Sequence, residues 1–370
     1  KAALEEVFPY VLLWFSIKAL SSGNGRGWDT FLMSVLCIWL MTESVNGLSQ
    51  VFGHRPSGHA GFGMTGSFSN PGPYGGFIAV LMSVSASYAL RHRHLMGLIS
   101  KPFLKGIAGI RSGQIWGSVY LRWILLRFIP FAIASAAAVL GFMVLPATRS
   151  RAGWLALCVA LLLYACRETH FWSKLRYRRA AVAVLAVAIP TAAGGVFMLK
   201  KDSALGRLHI WNVETRAVAS SPLIGYGPGT ALGAYGETQE AYFRSAEREA
   251  WEKRVAGCPE YAFNEYLKAG IEAGLPDLVL AVCIAAFSVS ALMKSGSFFA
   301  YGAAASAVFA FFSYPVSVQP LAMLYTILLG VSCGVSRPGG RCAGVESQVK
   351  PVPVWMRAST VLMAATLGIV

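Results

Sequence analysis

Hydrophobic positions in this chain run in long blocks broken by more polar connections. Ten blocks read as helices that cross or enter a membrane: residues 8–20, 28–52, 73–90, 119–145, 152–166, 180–199, 275–293, 298–312, 319–333 and 354–370. A span needs about 20 apolar residues, and several blocks, the first among them, are shorter. The longest connection is 200–274. The pattern predicts an all-α, polytopic transmembrane helix bundle in three parts. These are N-terminal membrane helices over 1–199, a large, mostly helical loop over 200–274, and C-terminal membrane helices over 275–370. The last block runs to the chain's end, and the first residue is not Met. A fragment lacking terminal helices is therefore expected.

Composition supports the membrane reading. Of 370 residues, 55% are hydrophobic and 13% charged, against about 25% charged in a soluble domain. That excludes a disordered chain, a coiled coil and an ordinary cytosolic enzyme. The formal charge of +15 changes meaning once it is placed along the chain. Arg91, Arg93, Lys101, Lys105 and Arg111 share one loop. Arg167, Lys174, Arg176, Arg178 and Arg179 share a second, and Arg337, Arg341 and Lys350 a third. The positive-inside rule puts these loops in the cytoplasm. The other face then carries 53–72, the turn at 146–151 and the loop 200–274, whose nine Lys/Arg and ten Asp/Glu nearly balance. The excess charge orients the protein, which argues against nucleic acid as a partner.

The cysteines and histidines form no zinc-like spacing. No internal repeat is visible.

The informative polar groups fall on the external side. Arg149 and Arg151 stand where a membrane helix begins. Free N–H groups and the helix dipole favour anions there, and guanidinium suits phosphate. Snorkelling to lipid headgroups is the alternative. Next, Arg207, His209, Trp211, Glu214 and Arg216 lie on one predicted helix, followed by Ser-Pro-Leu-Ile-Gly-Tyr-Gly-Pro-Gly at 221–229. The glycines permit tight turns, but the Lys-Ser/Thr of a P-loop is missing. A third cluster runs over 259–274, with Pro259 fitting a first helical position and a break expected at Gly274 and Pro276. Phe263, Tyr266, Leu267, Gly270 and Ile271 form one face, and Asn264, Glu265, Lys268 and Glu272 the other. The polar face turns either to water or to a cavity above the membrane. The fourth, Gly-Ser-Phe-Ser-Asn-Pro at 66–71, reads as a turn into a span.

In this order, the four pieces resemble the O-antigen ligase and O-antigen polymerase superfamily of bacterial membrane glycosyltransferases. The resembling parts are Gly-Ser-Phe-x-Asn-Pro, Ser-Arg-Ala-Gly, Gly-Arg-x-x-x-Trp with Ser-Pro-Leu-Ile-Gly-Tyr-Gly-Pro-Gly, and Asn-x-Tyr-Leu-x-x-x-x-Glu-x-Gly. They span roughly 28–335. The resemblance implies a GT-C-like architecture in the bacterial inner membrane, with the active site facing the periplasm. It implies transfer of a glycan from an undecaprenyl-diphosphate-linked donor to an acceptor hydroxyl on lipid A-core, a glycan or a protein. Such transfer is inverting and metal-independent and uses no cofactor. By position, Arg149, Arg151, Arg207 and Arg216 become candidates for the donor diphosphate. Asn264, Glu265 and Arg207 become catalytic candidates. His209, Trp211, Glu260 and Glu272 are candidates for base or sugar contacts.

One position departs from the family. Many relatives carry His before the Asn of the last motif, and here Phe263 stands there. Phe takes no proton. Either Glu265 (then Glu260 or His209) is the base, or stabilisation of the leaving group carries the reaction. For Glu265, an ion pair with Lys268 is the structural alternative. Polymerase and protein O-oligosaccharyltransferase readings share the same donor. A polysaccharide or lipid transporter is the rival of another class. It would need charges near the midplane of several spans or broken helices at matching positions.

Overall fold

The computed structural model describes residues 2–23, 25–98, 124–168 and 201–335. All regular elements among these residues are helical, and one isolated bridge joins His59 and Phe62. The α-helices are α1 (Ala2–Gly23), α2 (Gly25–Val51), α3 (Pro71–Arg91), α4 (Ile129–Thr148), α5 (Arg151–Glu168), α6 (Lys201–Ser220), α7 (Ala231–Ser245), α8 (Ala250–Val255), α9 (Glu265–Lys294), α10 (Phe299–Phe312) and α11 (Gln319–Val335).

Gly27–Val51, Pro71–Arg91, Leu126–Thr148 and Glu265–Lys294 are long and apolar enough to cross a membrane. Val7–Gly23, Phe299–Phe312 and Gln319–Val335 are apolar but shorter. An all-α polytopic bundle is therefore the observed class. The predicted spans 180–199 and 354–370, and the first residues of 119–145, lie outside the described residues.

The chain folds into two compact units. One comprises Lys1–Leu163, Phe287–Phe309 and Val318–Val370; the other comprises Tyr164–Ala286 and Ala310–Ser317. The predicted three-part division followed hydropathy along the chain, whereas these units follow packing.

In the first unit, α3 is buried over most of its length. Small residues let its neighbours approach, as is common between membrane helices. Gly302 of α10 lies against Val84, and Gly76 of α3 lies under the Phe309 ring. Gly330 and Gly334 of α11, one turn apart, face Ile17 and Ser21 of α1. The connection from α2 to α3 is folded onto α2. Gln50 Oε1 accepts the N–H groups of Thr65 and Gly66, at 2.9 and 2.8 Å. Buried Glu43 accepts the Ser67 hydroxyl at 2.6 Å. The polar turn at 65–70 thus satisfies its backbone through α2 side chains, as a buried turn must.

In the second unit, α6 and α7 meet through Ala217, Val218, Ala231 and Ala234, with Ile271 of α9 completing the cluster. Helix α9 breaks at Gly274, where φ is 80° and ψ −176°. A left-handed φ of this kind suits glycine. The sequence-predicted break is there, and Pro276 follows it at a position where its missing N–H costs little.

Candidate functional site

Two of the sequence clusters meet in the first unit. Asn70 caps α3, its Oδ1 accepting the Gly72 N–H at 2.8 Å. Ser150 caps α5 in the same way, accepting the Gly153 N–H at 3.2 Å, and donates to the Gly72 carbonyl at 3.2 Å. The starts of α3 and α5 therefore lie side by side. Their approach requires glycine on both helices: a Cβ on Gly153 would stand 2.6 Å from the Gly75 carbonyl oxygen, and one on Gly75 would overlap Ser150.

Arg149 and Arg151 flank the Ser150 cap. Arg149 is exposed and adopts φ 52°, the one positive φ outside glycine among the described residues. Its N–H donates to Pro146 O at 3.2 Å, closing α4. Non-glycine residues in this region carry a backbone cost, and such positions concentrate at functional sites. Arg151 is half-buried in the first turn of α5.

The second unit gathers another set around Arg207. Its Nη1 donates to the Phe312 carbonyl at 3.3 Å, and its guanidinium carbon lies 5.2 Å from the centre of the Phe263 ring. One turn along α6, Trp211 donates from Nε1 to the Phe263 carbonyl at 3.3 Å. Its ring packs against Phe311 and Phe312 at 5.4 and 5.7 Å. Phe263 therefore holds Arg207 through its ring and Trp211 through its backbone. A ring and a carbonyl together orient the guanidinium.

Tyr261 stacks on Tyr314 with centroids 4.1 Å apart and planes 2° from parallel, and Phe263 meets the same Tyr314 edge-on. Burial pushes the Tyr314 phenol up to about 12, with Tyr261 and Glu260 adding to it and Arg207 opposing. Tyr314 therefore stays protonated at neutral pH. The strip from Phe311 to Ser317 was not singled out from the sequence. Its only signal was a Ser-Tyr-Pro break after an apolar helix.

Asn264 is buried, and its Oδ1 accepts the N–H groups of Tyr266 and Leu267 at 3.0 and 3.1 Å. It is the N-cap of α9. Glu265 is mostly enclosed and has partners on both oxygens. Oε2 accepts the Val316 N–H at 3.2 Å, and Oε1 stands 3.4 Å from Lys268 Nζ. Lys268 also donates to Ser317 Oγ at 3.0 Å. The polar face of this helix thus meets the 315–317 turn rather than open water.

Other candidates lie elsewhere. His209 and Arg216 are seven residues apart, so they share a face of α6, about opposite to Arg207 at 100° per residue. His209 is buried, with Nε2 3.2 Å from Gln239 Oε1. Arg216 lies over Tyr242 at 4.7 Å and donates to Asn212 at 3.2 Å. The structure does not bring these two to Arg207. Glu260 is exposed, and the backbone carbonyl of Glu272 accepts the Gly227 N–H at 2.9 Å.

The glycine-rich segment after α6 holds protein rather than phosphate. The N–H of Gly225 goes to Ser221 O, that of Tyr226 to Ile271 O, and that of Gly227 to Glu272 O. The Gly225 donor closes the turn on itself, and the Tyr226 and Gly227 donors are committed to the broken end of α9.

Glu214 lies seven residues beyond Arg207 on α6, on the same face at 100° per residue. It is buried, its Oε2 has no hydrogen-bond partner among the described residues, and burial pushes its carboxyl up to about 8. Among the described residues, no three His, Cys, Asp or Glu side chains are grouped to hold a metal ion.

Residues 136–282 match the family model described as O-antigen ligase. The matched segment contains every site residue proposed from the sequence, from Arg149 to Glu272. It supports the resemblance read from the motifs: this segment is similar to the O-antigen ligase family. No curated protein matches it.

Proposed function

We propose that the protein transfers a glycan from an undecaprenyl-diphosphate-linked donor to an acceptor hydroxyl at the periplasmic face of the bacterial inner membrane, as an O-antigen ligase does. The observation that carries this reading is the setting of Arg207. It sits within the family-matched segment, oriented by the Phe263 ring and the Phe312 carbonyl in an aromatic surround.

The reaction asks little of a base and much of a cation. The acceptor oxygen attacks the anomeric carbon from the face opposite the diphosphate. The bond from that carbon to the diphosphate oxygen breaks, undecaprenyl diphosphate leaves with the electron pair, and the acceptor's O–H proton passes to water as the new bond forms. One displacement inverts the centre. Charge grows on the leaving oxygen, and a pre-oriented guanidinium stabilises it more in the transition state than in the ground state. The donor is already activated, so no nucleotide is required. Arg149 and Arg151, at the start of α5, are separate candidates for phosphate oxygens on the ground of their own helix start.

Phe263 cannot accept the acceptor's proton, and Glu265 is held by Val316 and Lys268. We assign Glu265 to positioning: it joins the start of α9 to the turn beside Tyr314. Leaving-group stabilisation is then the main chemical contribution.

Transfer by the purified protein from a lipid-linked oligosaccharide tests the reading. Arg207→Ala should lower the rate by about 10²–10³, the usual cost of losing an oriented charge-stabilising donor. Arg151→Ala should also weaken use of the donor. Full transfer by both variants would exclude the proposed donor contacts. Polymerase and protein O-oligosaccharyltransferase activities use the same donor, and the acceptor that gains glycan in this assay separates them.

A further inference from the structure

The connection from α6 to α7 carries the two most exposed large apolar side chains among the described residues. Leu223 is 75% exposed and Ile224 83%. Single exposed apolar residues are ordinary. This pair differs because its backbone is fixed, and fixed at one particular level of α9.

Two hydrogen bonds close the turn on itself: Gly225 N–H donates to Ser221 O at 3.1 Å, and Ser221 Oγ donates to Gly225 O at 2.8 Å. Three more tie it to α9. Leu275 N–H donates to Pro222 O at 2.7 Å, Tyr226 N–H to Ile271 O at 2.8 Å, and Gly227 N–H to Glu272 O at 2.9 Å. Gly274 is packed so tightly here that a Cβ would stand 2.7 Å from the Leu223 carbonyl carbon. The tip is therefore rigid, and it sits beside Leu275, where the apolar length of α9 begins.

From that point α9 presents exposed apolar side chains, among them Leu275 (45%), Val279 (55%) and Leu280 (54%). This is the outer surface of a helix long and apolar enough to cross a membrane. The Leu223–Ile224 tip continues that surface at its end, and residues 221–230 contain no charge. Tyr226, 38% exposed, is of the type that favours the membrane–water boundary.

We propose that Leu223 and Ile224 form a membrane anchor that enters the boundary between phospholipid headgroups and acyl chains beside the start of the α9 span. The occupant is bilayer phospholipid, because the tip is continuous with surface that already faces lipid if α9 spans. Apolar side chains on a rigid polar scaffold bind this boundary by burying area in it. The anchor would hold α6 and its Arg207 at a set height over the membrane. It rests on α9 crossing the bilayer and not on the transfer reading.

The test uses the purified full chain in vesicles of phosphatidylethanolamine and phosphatidylglycerol, without any polyprenyl lipid. Leu223→Trp and Ile224→Trp each add emission relative to the unsubstituted protein. That added emission should be blue-shifted and mostly quenched by phospholipids brominated on the acyl chain, most strongly by those brominated nearest the headgroup. In the unsubstituted protein, a phospholipid with a photoactivatable group high on its acyl chain should label 222–226, as mapped by mass spectrometry. Unquenched emission, or labelling confined to the helices, would overturn the anchor. Unquenched blue-shifted emission would point to a second copy covering the tip and would overturn it equally. Neither readout needs glycan transfer, so failure here leaves the transferase proposal standing.

Discussion

At residue scale, two groups show how placement outweighs residue type. Phe263 stands where the resemblance read from the motifs leads one to expect a proton-accepting His, yet it orients Arg207 with its ring and Trp211 with its carbonyl. Glu214 is an acid that burial keeps protonated up to about pH 8. The linkage has a definite sign. Between its ordinary pKa of 4.5 and about 8 the folded state holds a proton that the unfolded state releases. Stability therefore falls as pH rises through this window. Glu214→Gln keeps the shape and removes the titration. It should be more stable than the parent at pH 8 by on the order of a few kcal/mol, and so melt at a higher temperature. The gap should close towards pH 4.5. Equal melting of the two proteins across that range would exclude a strongly raised Glu214. The sequence showed Glu214 only as one charge on a helix, since burial depends on packing between elements.

At the scale of elements, helix starts and breaks were readable and helix faces were not. Asn-Pro before α3, Ser150 before α5 and the break at Gly274 follow from capping and backbone chemistry that a local sequence displays, whereas the helix start expected at Pro259 comes instead after Asn264. That the starts of α3 and α5 touch was not displayed. It depends on Gly75 and Gly153 facing one another. Gly153→Ala sets a Cβ against a backbone oxygen that cannot swing away, and should cost about 1–3 kcal/mol as overpacking does. Gly233→Ala, with nothing within 4 Å of the new Cβ, should be neutral or slightly stabilising. Melting in detergent compares the two, and equal behaviour would refute the close approach. The face problem recurs on α6. Arg207, His209, Trp211 and Arg216 lie within ten residues, but helical rotation divides them into two sets with different neighbours.

For the whole molecule, the distribution of charge predicts which way the chain faces. The loop 200–274 is nearly neutral and should be periplasmic. Cys258 lies in it and is exposed. A maleimide that cannot cross the membrane should label the protein in intact spheroplasts, and Cys258→Ser should remove that signal. Labelling of Cys258 that appears only after permeabilisation would reverse the orientation, and with it the side on which transfer is proposed.

The sequence by itself determined that this is a helical membrane protein, and where several of its helices start and break. Each of those facts depends on the composition of one stretch of chain and its immediate neighbours. Its ordered motifs also carried the O-antigen ligase resemblance. Tertiary structure decided which of the candidate residues are neighbours. It set Arg207 with Phe263 and the strip from Phe311 to Ser317, gave His209 and Arg216 their partners Gln239 and Tyr242, buried Glu214, and tied the glycine-rich turn to α9. These outcomes depend on contacts between segments far apart in the chain, and no local pattern encodes them.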